Sequence, residues 1–282
     1  MKLGFWAAPE GSEEAIAVAP LIGAEASKRG SLRFLASVRG AEAVARCPRA
    51  AALLPELALA LQTQAALAPS RLFDITDFAA DDLELLGQVL GEGEVSGVAA
   101  LPDGVTAEIG EATVAGLWRV RFRDAVGRIG ADYLEIGATP EIVRRAALLP
   151  ADRLSFGAPP TGAMNVMPLL SEIGERMAAF APGAASHVIN FSLLPMNEID
   201  MAFLQQTLGD GPVQLVSRGY GACKITATGA RHVWSVQFFN ASDAIILDTL
   251  EIGGVPAAAQ AAEEDFRDSA ERLREIHEAY FA

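Results

Sequence analysis

The spacing of apolar positions along this chain alternates between a helical period and a strand-like period. Residues 81–90 place apolar side chains at every third or fourth position, which is the period of an α-helix. Acidic residues at its start and Gly91 after its last turn favour the same helix. Residues 118–123 alternate apolar side chains with arginines, as in a strand that has one buried and one wet face. Helices and strands together predict an α+β fold.

The predicted strands form two runs of four, joined by short loops that favour an antiparallel meander. They are expected at residues 95–99, 106–109, 117–123 and 129–136, then at 213–217, 223–228, 232–239 and 244–252. A short strand precedes each run, at 71–75 and 187–193, and a helix that begins after a proline follows each run, at 141–149 and 257–281. The last helix carries an apolar stripe. It is expected to cover either its own sheet or the other one.

The two runs also match in their residues. Residues 73–95 align with 191–213 without a gap, residues 117–122 with 233–238, and residues 132–137 with 248–253. A repeat of this length is a domain-sized unit, since solenoid repeats span roughly 20–50 residues. We therefore expect two pseudo-symmetric α+β units, each a small antiparallel sheet of three or four strands with helices on one face.

The domain boundaries follow from this repeat. We expect a lead segment at residues 1–45, a first unit at 46–149, a linker rich in proline and glycine at 150–161, and a second unit at 162–282. Trp118 and Trp234 occupy matching strand positions, so both are expected in a core.

Composition excludes several classes of function. The formal net charge of −14 argues against nucleic-acid binding, because phosphate recognition needs a basic face. The longest weakly polar stretch contains a proline, a glutamate and two glutamines, so no membrane span is expected. The first ten residues do not resemble an export signal, and a cytoplasmic protein is expected. The 2 cysteines are far apart and the 3 histidines are scattered, so neither a metal site nor a bound cofactor is predicted.

The clearest difference between the two copies lies between their first two strands. The second copy has Arg218-Gly-Tyr-Gly-Ala-Cys223 there, whereas the first copy connects the same strands without these residues. Gly219 and Gly221 permit a tight turn that presents Tyr220 beside the Arg218 cation. We interpret this tip, residues 218–223, as a partner-binding surface. The alternative is an ordinary hairpin turn in which Tyr220 packs inward.

Two readings of Cys223 are open, because it is either a small core residue of a strand or a reactive thiol that touches iron–sulfur or metal cargo. Carboxylates recur at Asp132 and Glu135 and again at Asp248 and Glu251. Recurrence in both copies favours structural hydrogen bonds over acid–base chemistry. The sequence contains no nucleophile elbow, Walker loop or dinucleotide fingerprint. A binding protein that is not an enzyme is therefore favoured, and a redox or metal-handling enzyme that uses Cys223 is the alternative.

Several motifs in fixed order resemble the HupH/HyaF family, also called HoxQ. They are Met164-Asn-Val-Met-Pro-Leu-Leu-Ser-Glu-Ile173, Ile189-Asn-Phe-Ser-Leu-Leu-Pro195 and Ser217-Arg-Gly-Tyr-Gly-Ala-Cys-Lys-Ile-Thr226, with further runs at 228–234, 247–252 and 264–274. The resemblance extends over nearly all of the chain from about residue 50. It implies a maturation factor for uptake [NiFe]-hydrogenases that acts on the iron–sulfur small-subunit precursor before export, beside a thioredoxin-like accessory protein. It implies no catalytic residues.

Overall fold

This computed structural model describes residues 45–219 and 221–281 of the chain. They fold into helices and antiparallel strands that are joined by turns and loops. The helices are α1 (Pro48–Gln62), α2 (Ala80–Leu90), α3 (Glu141–Ala146), α4 (Val166–Ala179), α5 (Glu198–Leu208) and α6 (Asp265–Tyr280). The strands are β1 (Arg71–Asp74), β2 (Val95–Ala100), β3 (Thr106–Glu111), β4 (Leu117–Arg123), β5 (Ile129–Ile136), β6 (His187–Asn190), β7 (Asp210–Ser217), β8 (Ala222–Thr228), β9 (Val233–Phe239) and β10 (Ile245–Ile252). The α+β class is confirmed.

The described elements divide between two units. The first unit comprises residues 45–96, 102–141 and 260–281, and the second unit comprises residues 97–101 and 142–259. This division differs from the boundaries expected from the sequence at three places. The C-terminal helix α6 belongs to the first unit, whereas residues 97–101, which include most of β2, and residues 142–149 belong to the second. The expected lead segment at residues 1–45 lies outside the described residues, apart from residue 45.

The first unit contains an antiparallel sheet in the order β1-β5-β4-β3. Its core combines the apolar sides of α1, α2 and α6, with the buried side chains Leu54, Leu57 and Leu61 from α1 and Phe266 and Leu273 from α6. Each such side chain contributes about 1.5–3 kcal/mol when it is fully buried. The burial of both apolar stripes explains why α6 packs on α1 in this unit.

A glycine makes room for α6. Gly116, in the turn before β4, has a φ of +79°, and a Cβ atom at this position would lie 2.5 Å from Cε1 of Phe266. Ser269 Oγ donates a hydrogen bond to the carbonyl of Ala115 at 2.9 Å. The matching position before β9 is His232, whose φ is +67° and whose ring lies 4.4 Å from that of Phe180, centroid to centroid. Both units therefore use a left-handed residue at this turn, but only Gly116 leaves space for a helix side chain.

The second unit contains the antiparallel order β7-β8-β9-β10-β6. Its core lies between α4, α5 and strands β6, β9 and β10, with Leu170, Ile173 and Leu204 fully buried. The predicted end of α2 is confirmed, because Gly91 follows it with a φ of +61°, and Gly209 follows α5 with the same φ.

Two buried aspartates cap the helices α1 and α4 by accepting hydrogen bonds from backbone N–H groups. Asp82 Oδ1, on α2, accepts a hydrogen bond from Ala50 N at 2.8 Å. Asp200 Oδ1, on α5, accepts three from the backbone N–H groups of residues 164–166, at 2.7, 3.0 and 3.1 Å. Burial raises the pKa of Asp200, but these bonds and one from Asn197 outweigh it and hold the pKa below its usual value.

The expected burial of the two matching tryptophans is confirmed, because each is only 1% exposed. Trp118 Nε1 donates to the carbonyl of Gly137 at 2.8 Å. Within residues 45–219 and 221–281, no helix combines the length and the apolar character that a membrane span needs.

Candidate functional site

The tip that the sequence singled out is the hairpin between β7 and β8. Arg218 is exposed, and Gly221 has a φ of +104°, with its N–H donating to the carbonyl of Gly219 at 2.9 Å. A left-handed residue at this point is favourable only for glycine. Tyr220 lies outside the described residues. The geometry therefore places the Arg218 cation in solvent at the end of the β7–β8 hairpin.

Cys223 does not share that exposure. It pairs with Ser217 across β7 and with Phe238 across β9, and it is only 3% exposed. Burial, and to a lesser extent the nearby charge of Glu251, raises the pKa of the thiol to about 12. A thiol with this pKa stays protonated near neutral pH and is a poor nucleophile or metal ligand. Cys223 therefore belongs to the interior of the sheet, and its position lends no support to thiol chemistry at the tip.

Three of the recurring carboxylates, Asp132, Glu135 and Asp248, make structural hydrogen bonds. Glu135 Oε1 accepts the backbone N–H of Glu141 at 2.7 Å, at the first residue of α3. Asp132 forms a bidentate pair with Arg119, with N···O distances of 3.0 and 2.6 Å. Asp248 accepts from Gln237 Nε2 at 3.3 Å. Among the described residues, no group of three or more His, Cys, Asp and Glu side chains could hold a metal ion.

The second unit also carries an open groove that the sequence did not reveal. Its volume is about 490 Å³, and it lies between residues 158–160 and the outer face of α5. The lining residues are Ala158, Pro160, Glu198, Ile199, Ala202, Phe203 and Gln206. α5 buries Leu204 and Leu208 on its inner side and leaves apolar residues on its outer side as well. The only sequence signal for the groove is that α5 carries apolar residues on both of its sides. Such residues are equally expected at core positions.

The chain that forms the second wall of the groove is held at both ends. Ala151 bridges to Ala230 in parallel fashion, and Arg231 Nε donates to the carbonyl of Pro150 at 3.3 Å. At the other end, Asn197 Nδ2 donates to the carbonyl of Gly162 at 2.9 Å. The segment expected to be a linker is therefore anchored near its two ends, to the turn before β9 and to the N-cap residue of α5.

One buried carboxyl in the first unit also escaped the sequence analysis. Glu111 ends β3, is 8% exposed, and accepts a hydrogen bond through Oε1 from Gly116 N at 3.2 Å. Burial raises the pKa of this carboxyl to about 7 against the opposing effect of its backbone hydrogen bonds, and the negative charges of Glu94 and Asp265 add to the rise. In the sequence, Glu111 fits the alternating pattern of β3, so nothing distinguishes it from an ordinary strand residue.

These features define an α+β protein of two units with an exposed hairpin tip and an open, largely apolar groove. A family model described as "HupH hydrogenase expression protein, C-terminal conserved region" matches residues 48–148 and again residues 163–280. The chain belongs to this HupH family, which confirms the resemblance found in its motifs.

Curated relatives agree with that assignment. The chain is 60% identical over 283 residues to "Hydrogenase expression/formation protein HupH" of Rhizobium leguminosarum bv. viciae, covering 100% of both chains. It is 43% identical over 235 residues to the HupQ protein of Azotobacter chroococcum, covering 82% of each. It is 38% identical over 244 residues to "Hydrogenase-1 operon protein HyaF" of Escherichia coli K12, covering 85% of this chain and 84% of that protein. A solved structure, "Hydrogenase expression protein HupH from Thiobacillus denitrificans", matches with a TM-score of 0.37 and 27% identity over 39% of this chain and 92% of that one.

Proposed function

We propose that this protein is an accessory protein for the maturation of an uptake [NiFe]-hydrogenase. It acts as a non-catalytic chaperone that binds the iron–sulfur small-subunit precursor in the cytoplasm before export, together with a thioredoxin-like accessory protein. The observation that carries the proposal is the 60% identity, over the whole chain, to a protein named for hydrogenase expression and formation. The relatives HupQ and HyaF support it as well, because their names also refer to hydrogenase expression or to a hydrogenase operon.

A binding role rather than catalysis is supported by the burial of the thiol group and by the hydrogen bonds of the carboxyl groups. The thiol of Cys223 is buried, with its pKa raised to about 12. The carboxyl groups of Asp132 and Glu135 are engaged by Arg119 and by the start of α3. Groups that are committed to structural bonds are poorly placed for proton transfer to a substrate.

Arg218 at the tip is the first candidate for partner contact. Its exposure and its position at the start of the turn, directly after β7, leave it accessible to another chain. Arginine and tyrosine are favoured as anchors in protein interfaces, which is why Tyr220 is included in the proposed surface. Gly219 and Gly221 shape the turn, and Cys223 contributes to the sheet beneath it.

The proposal includes a duplicated architecture. Asp82 and Asp200 occupy aligned positions and cap α1 and α4, respectively. The hairpins β4–β5 and β9–β10 are also built alike, because Asp124 Oδ1 accepts from the N–H groups of residues 126 and 128, and Asn240 Oδ1 from those of residues 242 and 244. These parallels support two copies of one unit, which then diverged at the tip.

Co-purification tests the function. The tagged chain is expressed with the small-subunit precursor under low oxygen, and the bound proteins are identified by mass spectrometry. We expect the precursor and the thioredoxin-like protein to be recovered, and hydrogenase activity to be lost when the gene is deleted. Recovery of neither protein, together with normal activity in the deletion strain, would contradict the proposal.

A further inference from the structure

We propose that the groove between α5 and residues 158–160 binds an apolar segment of a partner polypeptide that carries a lysine or arginine beside its apolar residues. The inference rests on the proposed function, since an assembly chaperone has to hold another chain. It adds a second contact surface to the tip, with a chemistry of its own.

The groove is open to solvent and runs along the outer face of α5. A volume of about 490 Å³ falls within the range of roughly 300–1,000 Å³ that is typical of ligand pockets. Its α5 wall presents Glu198, Ala202 and Gln206 at successive turns of one helix face. Its opposite wall is tied to α5 through Asn197 and Gly162. This tie reduces the ordering of the wall that binding has to bring about, and ordering costs affinity.

An apolar occupant follows from the exposed side chains. Ile199 is 40% exposed within the groove, and nearby Met164 is 74% exposed. Partly buried methionines, Met167, Met196 and Met201, pack on the adjoining core. Methionine adapts its shape readily and is common on surfaces that accept varied apolar segments. Covering these side chains removes apolar area from water, which favours an apolar segment over a polar one.

The charge of the occupant follows from the charges of the lining. Glu198 is exposed on the α5 wall, and Asp200, the other acid of the same helix, is buried in its cap. The sequence contains no lysine or arginine between Arg176 and Arg218, and none between Arg153 and Arg176. Both walls of the groove come from these stretches, so the lining offers a negative charge and no positive one. A cationic side chain next to the apolar residues of the partner complements it.

Two synthetic helical peptides probe this prediction with the purified full-length chain. Both consist of leucine and alanine, and three positions on one side are lysine in the first peptide and glutamate in the second. Fluorescence anisotropy measures the affinity of each. We expect saturable binding of the lysine peptide and weaker binding of the glutamate peptide.

Two substitutions locate the binding. Ala202→Glu fills part of the groove with a larger side chain at a solvent-facing helix position, and the apolar residues of either peptide would have to desolvate its carboxylate. This cost outweighs the added attraction to lysine, so binding of the lysine peptide should weaken about tenfold or more. Glu198→Lys should shift the preference toward the glutamate peptide by about threefold or more, as expected for one exposed charge pair. Leu59→Glu is the matched control, because Leu59 is an exposed apolar residue of α1 in the first unit, at 63% exposure. Circular dichroism checks that each variant is folded.

Three results would overturn the inference: no saturable binding of the lysine peptide, equal binding by the wild type and Ala202→Glu, or no change in peptide preference in Glu198→Lys. A fourth is a wild-type dimer that Ala202→Glu dissociates in sedimentation experiments, because the groove would then be a contact between two copies. Hydrogenase activity in cells separates this inference from the proposed function. A groove variant that binds no peptide but fully supports maturation refutes the groove and leaves the accessory role intact.

Discussion

Gly116 lies directly against the ring of Phe266, so that a Cβ atom on this glycine would come within 2.5 Å of Cε1 and 2.8 Å of Cδ1 of the phenylalanine. This contact joins the turn before β4 to the C-terminal helix α6, far along the chain. Phe266 is fully buried there. The close approach of a backbone to a ring is therefore one of the determinants that place α6 in the first unit.

Gly116→Ala should destabilise the first unit by about 2–4 kcal/mol, because it adds both left-handed strain and a clash with Phe266. Gly127→Ala is the matched control. Gly127 has a φ of +81°, but a Cβ atom there would meet nothing within 4 Å. This variant should lose only the strain, about 1 kcal/mol. Chemical denaturation measures both, and equal losses would show that the contact with Phe266 contributes nothing.

Cys223 should resist thiol reagents in the folded protein. Because the thiol is buried and its pKa is raised to about 12, the thiolate is scarce at neutral pH. We expect Cys223 to react with a disulfide reagent at pH 8 only as fast as the protein unfolds, and rapidly in denaturant, as measured by mass spectrometry of the labelled peptide. Cys223→Ser should leave hydrogenase maturation unchanged. Rapid labelling of the folded chain, or loss of maturation in a folded serine variant, would favour the redox alternative.

Much of the architecture could be predicted from local patterns. The end of α2 at Gly91 and the burial of Trp118 and Trp234 depend on periodicity and on residue type, and both were predicted correctly. The site of α6 could not be predicted, because its apolar stripe fits either sheet and the choice depends on the space left by Gly116. The helix predicted to begin at residue 257 begins at Asp265, after a 3₁₀ turn at Ala257–Ala259.

The same limit of prediction from local sequence applies to the two candidate surfaces, the tip and the groove. The tip was visible because Arg218 and its glycines interrupt an otherwise repeated pattern. The groove could not be predicted from the sequence, because the apolar residues Ile199 and Ala202 are equally compatible with core positions until the position of residues 158–160 is known. The burial of Glu111 depends equally on chain folding, because its neighbours Glu94 and Asp265 come from distant parts of the sequence.

The tip should contribute to binding and not to stability. Arg218 is exposed, so replacing it together with Tyr220 by alanine should change the thermal midpoint by less than about 2 °C, consistent with a surface substitution. Capture of the small-subunit precursor by the tagged variant should fall clearly below that of the wild type. Arg153→Ala, another exposed arginine of the second unit, serves as the control. A large loss of stability would instead indicate that Tyr220 packs inward.

The two capping aspartates should differ in their contribution to stability. Asp200 accepts four backbone hydrogen bonds, from residues 164–166 and from Asn197, whereas Asp82 Oδ1 accepts one from Ala50. Hydrogen bonds to charged groups contribute roughly 1.5–3 kcal/mol each, and not additively. Asp200→Asn should therefore cost about 3 kcal/mol at pH 7, and Asp82→Asn about half as much. Because the folded-state pKa of Asp200 is lowered, its contribution is present above the unfolded pKa and is lost as the pH falls. Equal losses at pH 7 would contradict this account.

Glu111 is surrounded by groups that oppose its ionisation. Its carboxyl is 8% exposed and points to the turn that receives α6, and the named charges around it, Glu94 and Asp265, are both acidic. The hydrogen bond from Gly116 N is neutral and offsets only part of the cost of burial. The folded-state pKa of about 7 lies above the reference value of 4.5, so the unfolded chain loses this proton at lower pH than the folded chain does.

Glu111→Gln should therefore change the pH dependence of stability in a defined direction. The raised pKa in the folded state stabilises the wild type fully below about pH 4.5, and this contribution is lost as the pH rises through about 7. Glutamine does not ionise, so the free energy of unfolding of Glu111→Gln, relative to wild type, should rise by about 3 kcal/mol between pH 4.5 and pH 8. Urea denaturation at several pH values measures it, with Glu56→Gln on the exposed side of α1 as the control that should show no such rise. The contrary outcome is a difference in the free energy of unfolding between Glu111→Gln and wild type that stays constant over this pH range. It would mean that Glu111 is already ionised in the folded protein and that its burial does not hold the proton.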